Sequence, residues 1–165
     1  MKQVVSLALL LCSASAFASD GTVTFTGTIT DQACTITTKN VDVSFGTISA
    51  SSFNGKGDSV GGRSFQLTLS NCPFDSATVR FDGNANAEGN LFQIDGGTDA
   101  ATNVAIAIYD ANNKQVLPNT PSSAYTLTSP TGTSTLNFSA KLQATDTTVG
   151  KGKIKAVSNF TVIYP

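Results

Sequence analysis

The chain contains no histidine, and that absence alone removes a broad class of chemistry. Ser-His-Asp and Cys-His nucleophile–base pairs both need the imidazole, as does the commonest zinc ligation. Charge is scarce, at 13% of residues, with ten Lys and Arg against eleven Asp and Glu for a net −1. Nothing in that balance draws nucleic acid or anionic lipid to a large surface. Beyond the first residues there is no apolar run near the ~18 that a transmembrane helix requires. Helical periodicity is missing at any useful length. What remains abundant is Thr, Ser, Gly and Asn, a mixture that suits strands and turns.

The amino terminus is a separate case. Lys2 precedes an almost unbroken apolar run from Val4 to Leu11, and small residues then lead to Ala16-Phe17-Ala18. That is the order of a secretory signal peptide, residues 1–18, too short for a membrane span. The mature chain is expected to start at Ser19, exported and soluble; losing Lys2 leaves nine cations against eleven anions, a net −2. Cys12 goes with the leader. Cys34 and Cys72 then remain in an oxidising compartment, where one disulfide is the expectation and two buried thiols the alternative. A lipoprotein role for Cys12 is set aside because a better cleavage site follows it.

The rest reads as a single domain of short β-runs. The candidate strands are 22–30, 34–37, 41–45, 64–69, 78–81, 91–94, 104–109, 135–144 and 154–164. Between them lie turn clusters such as Asn54-Gly55-Lys56-Gly57-Asp58 and Asp82-Gly83-Asn84. Many short strands with frequent turn signals predict an all-β sandwich.

Two runs differ from the others. In 22–30 every even position is threonine, while the odd positions are Val23, Phe25, Gly27 and Ile29. In 154–164 one face holds Ile154, Ala156, Ser158, Phe160, Val162 and Tyr164; Lys153, Lys155, Asn159 and Thr161 take the other. Each run thus offers one apolar face for burial. For the second, an ordinary core strand explains the pattern. The first lies close to the mature terminus and carries a glycine in mid-strand, which weakens a strand unless something must approach closely. Such an end is a candidate for strand donation to another molecule's sheet.

Catalytic alternatives fare poorly. Asp31, Asp42, Asp75, Asp82, Glu88, Asp95 and Asp99 are scattered, mostly in turn-like segments where capping or solvation is their usual role. Asp82 to Asn86 imitates the opening of an EF-hand loop, but Ala87 and Gln93 stand where Gly and Glu are needed. Gly61-Gly62 and Gly96-Gly97 lack the sequel of a phosphate-binding loop. Asn137-Phe138-Ser139 and Asn159-Phe160-Thr161 fit a glycosylation pattern by chance, inside predicted strands. No catalytic residue, metal or cofactor is expected.

The motifs in order resemble the subunits of chaperone–usher fimbriae, of the type 1 and P pilin kind. Gly21-Thr22-Val23-Thr24-Phe25-Thr26-Gly27-Thr28-Ile29, then Asp31-Gln32-Ala33-Cys34, is similar to the start of these proteins. Leu67 to Cys72 resembles their second cysteine segment, and Ala101 to Asp110 their A-T-N-V stretch. Gly152 is fourteenth from the end and Tyr164 penultimate, as in their chaperone-recognition ending.

The resemblance implies an incomplete immunoglobulin-like sandwich lacking its last strand, with residues 19–30 as donor strand and 31–165 as the pilin domain. It implies a structural subunit that polymerises by donor-strand exchange, after delivery by a periplasmic chaperone and an outer-membrane usher to a surface fimbrium. Val23, Phe25, Gly27 and Ile29 would form the donor face. Gly152, Ile154, Ala156, Ser158, Phe160, Val162 and Tyr164 would border the acceptor groove and bind the chaperone. Neighbouring subunits are the expected partners, with no nucleic acid; a host receptor would be met through the assembled fibre. A minor subunit, such as an adaptor, terminator or loop-mediated receptor binder, is the alternative. The chain departs from the pattern at Pro165, at Ser158 and in the brevity of Ser19-Asp20, and the first of these removes a terminal N–H.

Overall fold

A computed structural model describes residues 21–27, 29, 33–128 and 132–165. The leader and Ser19, Asp20, Thr28, Thr30, Asp31 and Gln32 lie outside the described residues. The chain divides into two units, Met1–Thr30 and Asp31–Pro165.

Of the strand expected over 22–30, residues 22–27 and 29 are described. Residues 21–27 and 29 join no ladder, and Val23, Phe25 and Ile29 are 76%, 90% and 101% exposed. A strand exists only through pairing, so periodic side chains without a paired neighbour give no sheet.

The second unit is two antiparallel sheets. The larger follows the order β1 (Thr35–Ile36), β2 (Ser59–Ser70), β8 (Thr133–Ala144), β5 (Val104–Asp110), β4 (Phe92–Gln93), with β6 (Gln115–Val116) also on β5. The smaller sets β3 (Ser76–Asp82) between β7 (Tyr125–Thr126) and β9 (Asn159–Ile163). Strand β8 shows why the chain folds this way. Its residues alternate without a break, Ser134, Leu136, Phe138, Ala140, Leu142 and Ala144 buried and the rest facing out or half-covered. Val79 and Phe81 of β3 meet this face from the opposite sheet. Phe138 stacks on Phe65 with centroids 5.5 Å apart and receives Phe81 edge-on at 5.0 Å. Offset and edge-on rings of this kind add to what area burial alone contributes.

Cys34 and Cys72 are joined, pinning β1 to the end of β2 across 38 residues with Cα atoms 4.2 Å apart. A loop of that length corresponds to roughly 4 kcal/mol of stabilisation in the chain-entropy view. Loops are stitched by polar side chains. Asn119, at φ 60°, accepts from the Gly83 N–H at 3.2 Å and donates to the Gly83 carbonyl at 3.1 Å. Its left-handed backbone is the one non-glycine residues seldom reach, and asparagine reaches it best. Tyr125 joins the two sheets: its hydroxyl donates to the Asn137 carbonyl at 2.7 Å and accepts from the Ala111 N–H at 3.2 Å.

Several strand boundaries move. Residues 41–45 keep an alternating burial, with Val41 and Val43 half-buried and Phe45 buried, yet join no ladder. The run 91–94 contracts to β4 and 154–164 to β9, while β6 and β7 are additional short strands. All-β architecture follows from pattern; which edges find partners depends on distant chain.

Candidate functional site: an open apolar groove

Residues 41–45, which join no ladder, and the run 154–164, reduced to β9, lie along one opening. Between them the sandwich is open, as a groove of about 1050 Å³. Residues 41–45 form one rim and residues 154–160 the other. The floor is Phe65, Leu67, Phe81, Phe92, Ile106 and Ile108, contributed by both sheets. It is the hydrophobic core seen from the side.

The second rim repeats the alternation seen in the sequence. Ile154, Ala156, Ser158, Phe160, Val162 and Tyr164 are all half-buried, whereas Lys153, Lys155, Val157, Asn159 and Thr161 are exposed. Phe160 and Val162 pair across β3 with Phe81 and Val79, and both pack against the main core cluster. A strand closing the sandwich would bury them fully; about 1.5–3 kcal/mol is at stake for each large apolar side chain taken wholly out of water. On its other side β9 has no strand partner among the described residues, which leaves a free edge beside an apolar trough. Edges of that kind template pairing with another chain.

The ends of this rim are fixed. At Gly152 a Cβ would fall on the backbone of Ala100 and Ala101, so only glycine allows the approach. There the Ala101 N–H donates to the Lys153 carbonyl at 2.9 Å, and the Asp95 N–H to the Lys155 carbonyl at 2.7 Å. At the far end Tyr164 stacks on Phe74 with centroids 4.6 Å apart. Burial raises the Tyr164 pKa, partly offset by a hydrogen bond from the Cys34 backbone. Ser158 spends its hydroxyl locally, 3.2 Å from the carbonyls of Asp82 and Asn159, one proton shared between them.

The other predicted positions fall in different places. Val23, Phe25, Gly27 and Ile29 belong to the first unit, and a Cβ on Gly27 would meet nothing within 4 Å. Asp82 is held by Arg80, Nε to Oδ1 at 2.7 Å; Glu88 by Lys56 at 2.7 Å; Asp99 by Lys153 at 3.2 Å. These carboxylates are engaged separately, and among the described residues no three His, Cys, Asp or Glu side chains converge as a metal set. In the EF-hand look-alike, Asn86 Oδ1 accepts the N–H groups of Asn90 and Leu91 at 3.0 Å and so caps a turn.

Sequence reasoning missed the first rim's role and the floor. The alternation of Val41, Val43 and Phe45 was the available signal, but it reads the same for a paired strand as for one that lacks a neighbour.

Comparison with known proteins finds relatives of the chain in sequence and in fold. A family model described as fimbrial protein matches residues 23–165. The chain is 37% identical over 175 residues to long polar fimbria protein A of Salmonella typhimurium, covering 99% of this chain and 97% of that one. The solved structure of the Burkholderia pseudomallei antigen and type I fimbria protein BPSL1626 is 32% identical with a TM-score of 0.63, covering 82% of this chain and 91% of that one. The P pilus rod subunit PapA shares the fold, with a TM-score of 0.66 over 80% of this chain and 99% of that one at 23% identity.

Proposed function

The chain belongs to the fimbrial protein family, and from that premise we propose that it is a structural fimbrial subunit that polymerises by donating its amino-terminal strand to a neighbour's groove. The observation that carries the reading is the groove itself: Ile154, Ala156, Ser158 and Phe160 stand half-buried along one rim, beside an apolar floor drawn from both sheets. An apolar row of matching period, Val23, Phe25 and Ile29, lies exposed at the other end of the chain. A strand laid between the rims would find backbone partners on each side. Main-chain hydrogen bonds then give general affinity, and side chains entering the trough at every second position give register. Three apolar side chains buried this way contribute roughly 5–9 kcal/mol before the cost of association.

Within this reading Gly27 occupies the place where the trough admits no Cβ, and Cys34–Cys72 holds the domain through export. Before assembly the groove is an aggregation hazard, so a periplasmic chaperone that lends a strand of its own covers it. An outer-membrane usher then presents the next subunit. The family's members are structural components of surface appendages rather than enzymes. Whether the subunit forms the shaft or serves as a minor component is a matter of abundance in the fibre.

Gly27→Asn tests the donor role. The variant should fold, be exported and still accept a neighbour's strand, yet yield no fibres by electron microscopy when it is the sole subunit. Normal fibres from Gly27→Asn would sink the assignment.

A further inference from the structure

The first rim poses a physical problem. Strand β1 pairs with β2 through Thr35↔Ser70 and Ile36↔Leu69, and the Thr37 N–H still reaches the Thr68 carbonyl at 2.9 Å. Continuing that register would set Asp42 opposite Arg63. Instead the ladder stops, and residues 41–45 run on with no strand partner among the described residues. Unpaired backbone of this kind frays unless something else holds it.

Arg63 is the group that reaches across. Its Nε donates to the Ser44 carbonyl at 3.0 Å and its Nη2 to the Phe45 carbonyl at 3.0 Å, while Nη1 donates to its neighbour's Gly62 carbonyl at 3.0 Å. The planar guanidinium thus supplies in one side chain the bonds a strand would have made, a geometry that lysine's single ammonium cannot reproduce. The backbone beneath is shaped for it. Between Val60 and Arg63 strand β2 bulges by one residue against β8, and Gly61, at φ +69°, leaves no room for a Cβ beside Ile48. A bulge re-aims the side chains that follow it. Gly46, at φ +68°, turns the chain just after the clamped carbonyls. Phe45 itself is buried with Ile94, Ala140 and Leu142.

We propose that Arg63 is a positioning residue for strand uptake: it holds the rim 41–45 in register while the groove is waiting for an occupant, so that an incoming strand meets a preformed second edge. The inference rests on the donor-strand reading above. Once a strand is seated, ladder hydrogen bonds hold the same rim, and the clamp matters less. A purely structural arginine would instead stabilise the filled and waiting subunit alike.

The test uses the mature subunit purified with its chaperone and a peptide of residues 19–30, with Arg63→Ala, Arg63→Gln and Arg63→Lys beside the unaltered protein. Peptide uptake should slow about tenfold in all three variants, lysine included, while the melting temperature of the peptide-filled subunit stays within a few degrees. Uptake at the normal rate in the variants, or restoration by Arg63→Lys, overturns the clamp but leaves the donor-strand reading standing. An equal loss of stability in the peptide-filled subunit and in the subunit freed of both chaperone and peptide overturns it in favour of a structural role. If the unaltered subunit fails to take up the peptide, the donor-strand reading falls and the clamp with it.

Discussion

Gly152 and Asp110 show how single positions fix local structure, one beside the groove's rim and one at the β5–β6 turn. A Cβ at 152 would land on backbone rather than on a movable side chain, so Gly152→Ala must displace the rim from the Ala100–Ala101 segment. Overpacking of that kind costs about 1–3 kcal/mol, and thermal melting of the chaperone-free, peptide-filled subunit should show it. Asp110 is buried at the β5–β6 turn, where its Oδ1 accepts the N–H groups of Asn112 and Lys114, each at 2.9 Å. Burial pushes its pKa up, but hydrogen bonding at this turn, with the Lys114 and Asn112 N–H groups on Oδ1, prevails and holds it below the ordinary 3.8. The unfolded chain therefore binds this proton more readily than the folded one. Stability from Asp110 is complete above the unfolded pKa and is lost as pH falls through the lower, folded value. Melting temperatures taken from pH 6 to pH 2 should fall at the acid end, and Asp110→Asn should flatten that limb. Tyr125 works at the other extreme. Burial raises its pKa above 10.0, so the stability it contributes is whole below pH 10 and is lost as pH rises past the folded value; Tyr125→Phe should weaken that alkaline limb.

Among the elements, β8 and β9 mark what a sequence can and cannot reveal. The period-2 alternation of β8 was readable from 135 to 144, and burial on one side follows it residue by residue. Residues 154–164 have an equally legible alternation, and the same six side chains face inward in the structure. Their degree of burial was not legible, because half-burial depends on a strand that is missing from the sandwich rather than on any residue present. For the same reason 41–45 looked like an ordinary strand. Arg63 gave no local signal, since its partners Ser44 and Phe45 stand 19 and 18 residues away. Short pairings such as β7 with β3 were likewise invisible, being made by contacts between distant turns. Phe160 offers a direct check on the rim. It lies opposite Phe81 and remains half-exposed to the trough, so Phe160→Ala should cost the empty domain less than the 3–5 kcal/mol typical of a fully buried phenylalanine. The larger penalty should appear in affinity for the donor peptide, measurable by titration.

At the level of the whole molecule, two apolar surfaces stand out among the described residues, one in each unit. One is the trough beside β9; the other is the row Val23, Phe25 and Ile29. A monomer that left both in water would be prone to self-association, and the proposed strand donation would cover the two together. The most direct measurement is displacement of the chaperone from the purified subunit by the peptide of residues 19–30, followed by melting of the product. The account predicts that the peptide replaces the chaperone and raises the melting temperature, and that a peptide carrying Gly27→Asn does neither. A subunit indifferent to both peptides, or one that accepts the two equally, would contradict it.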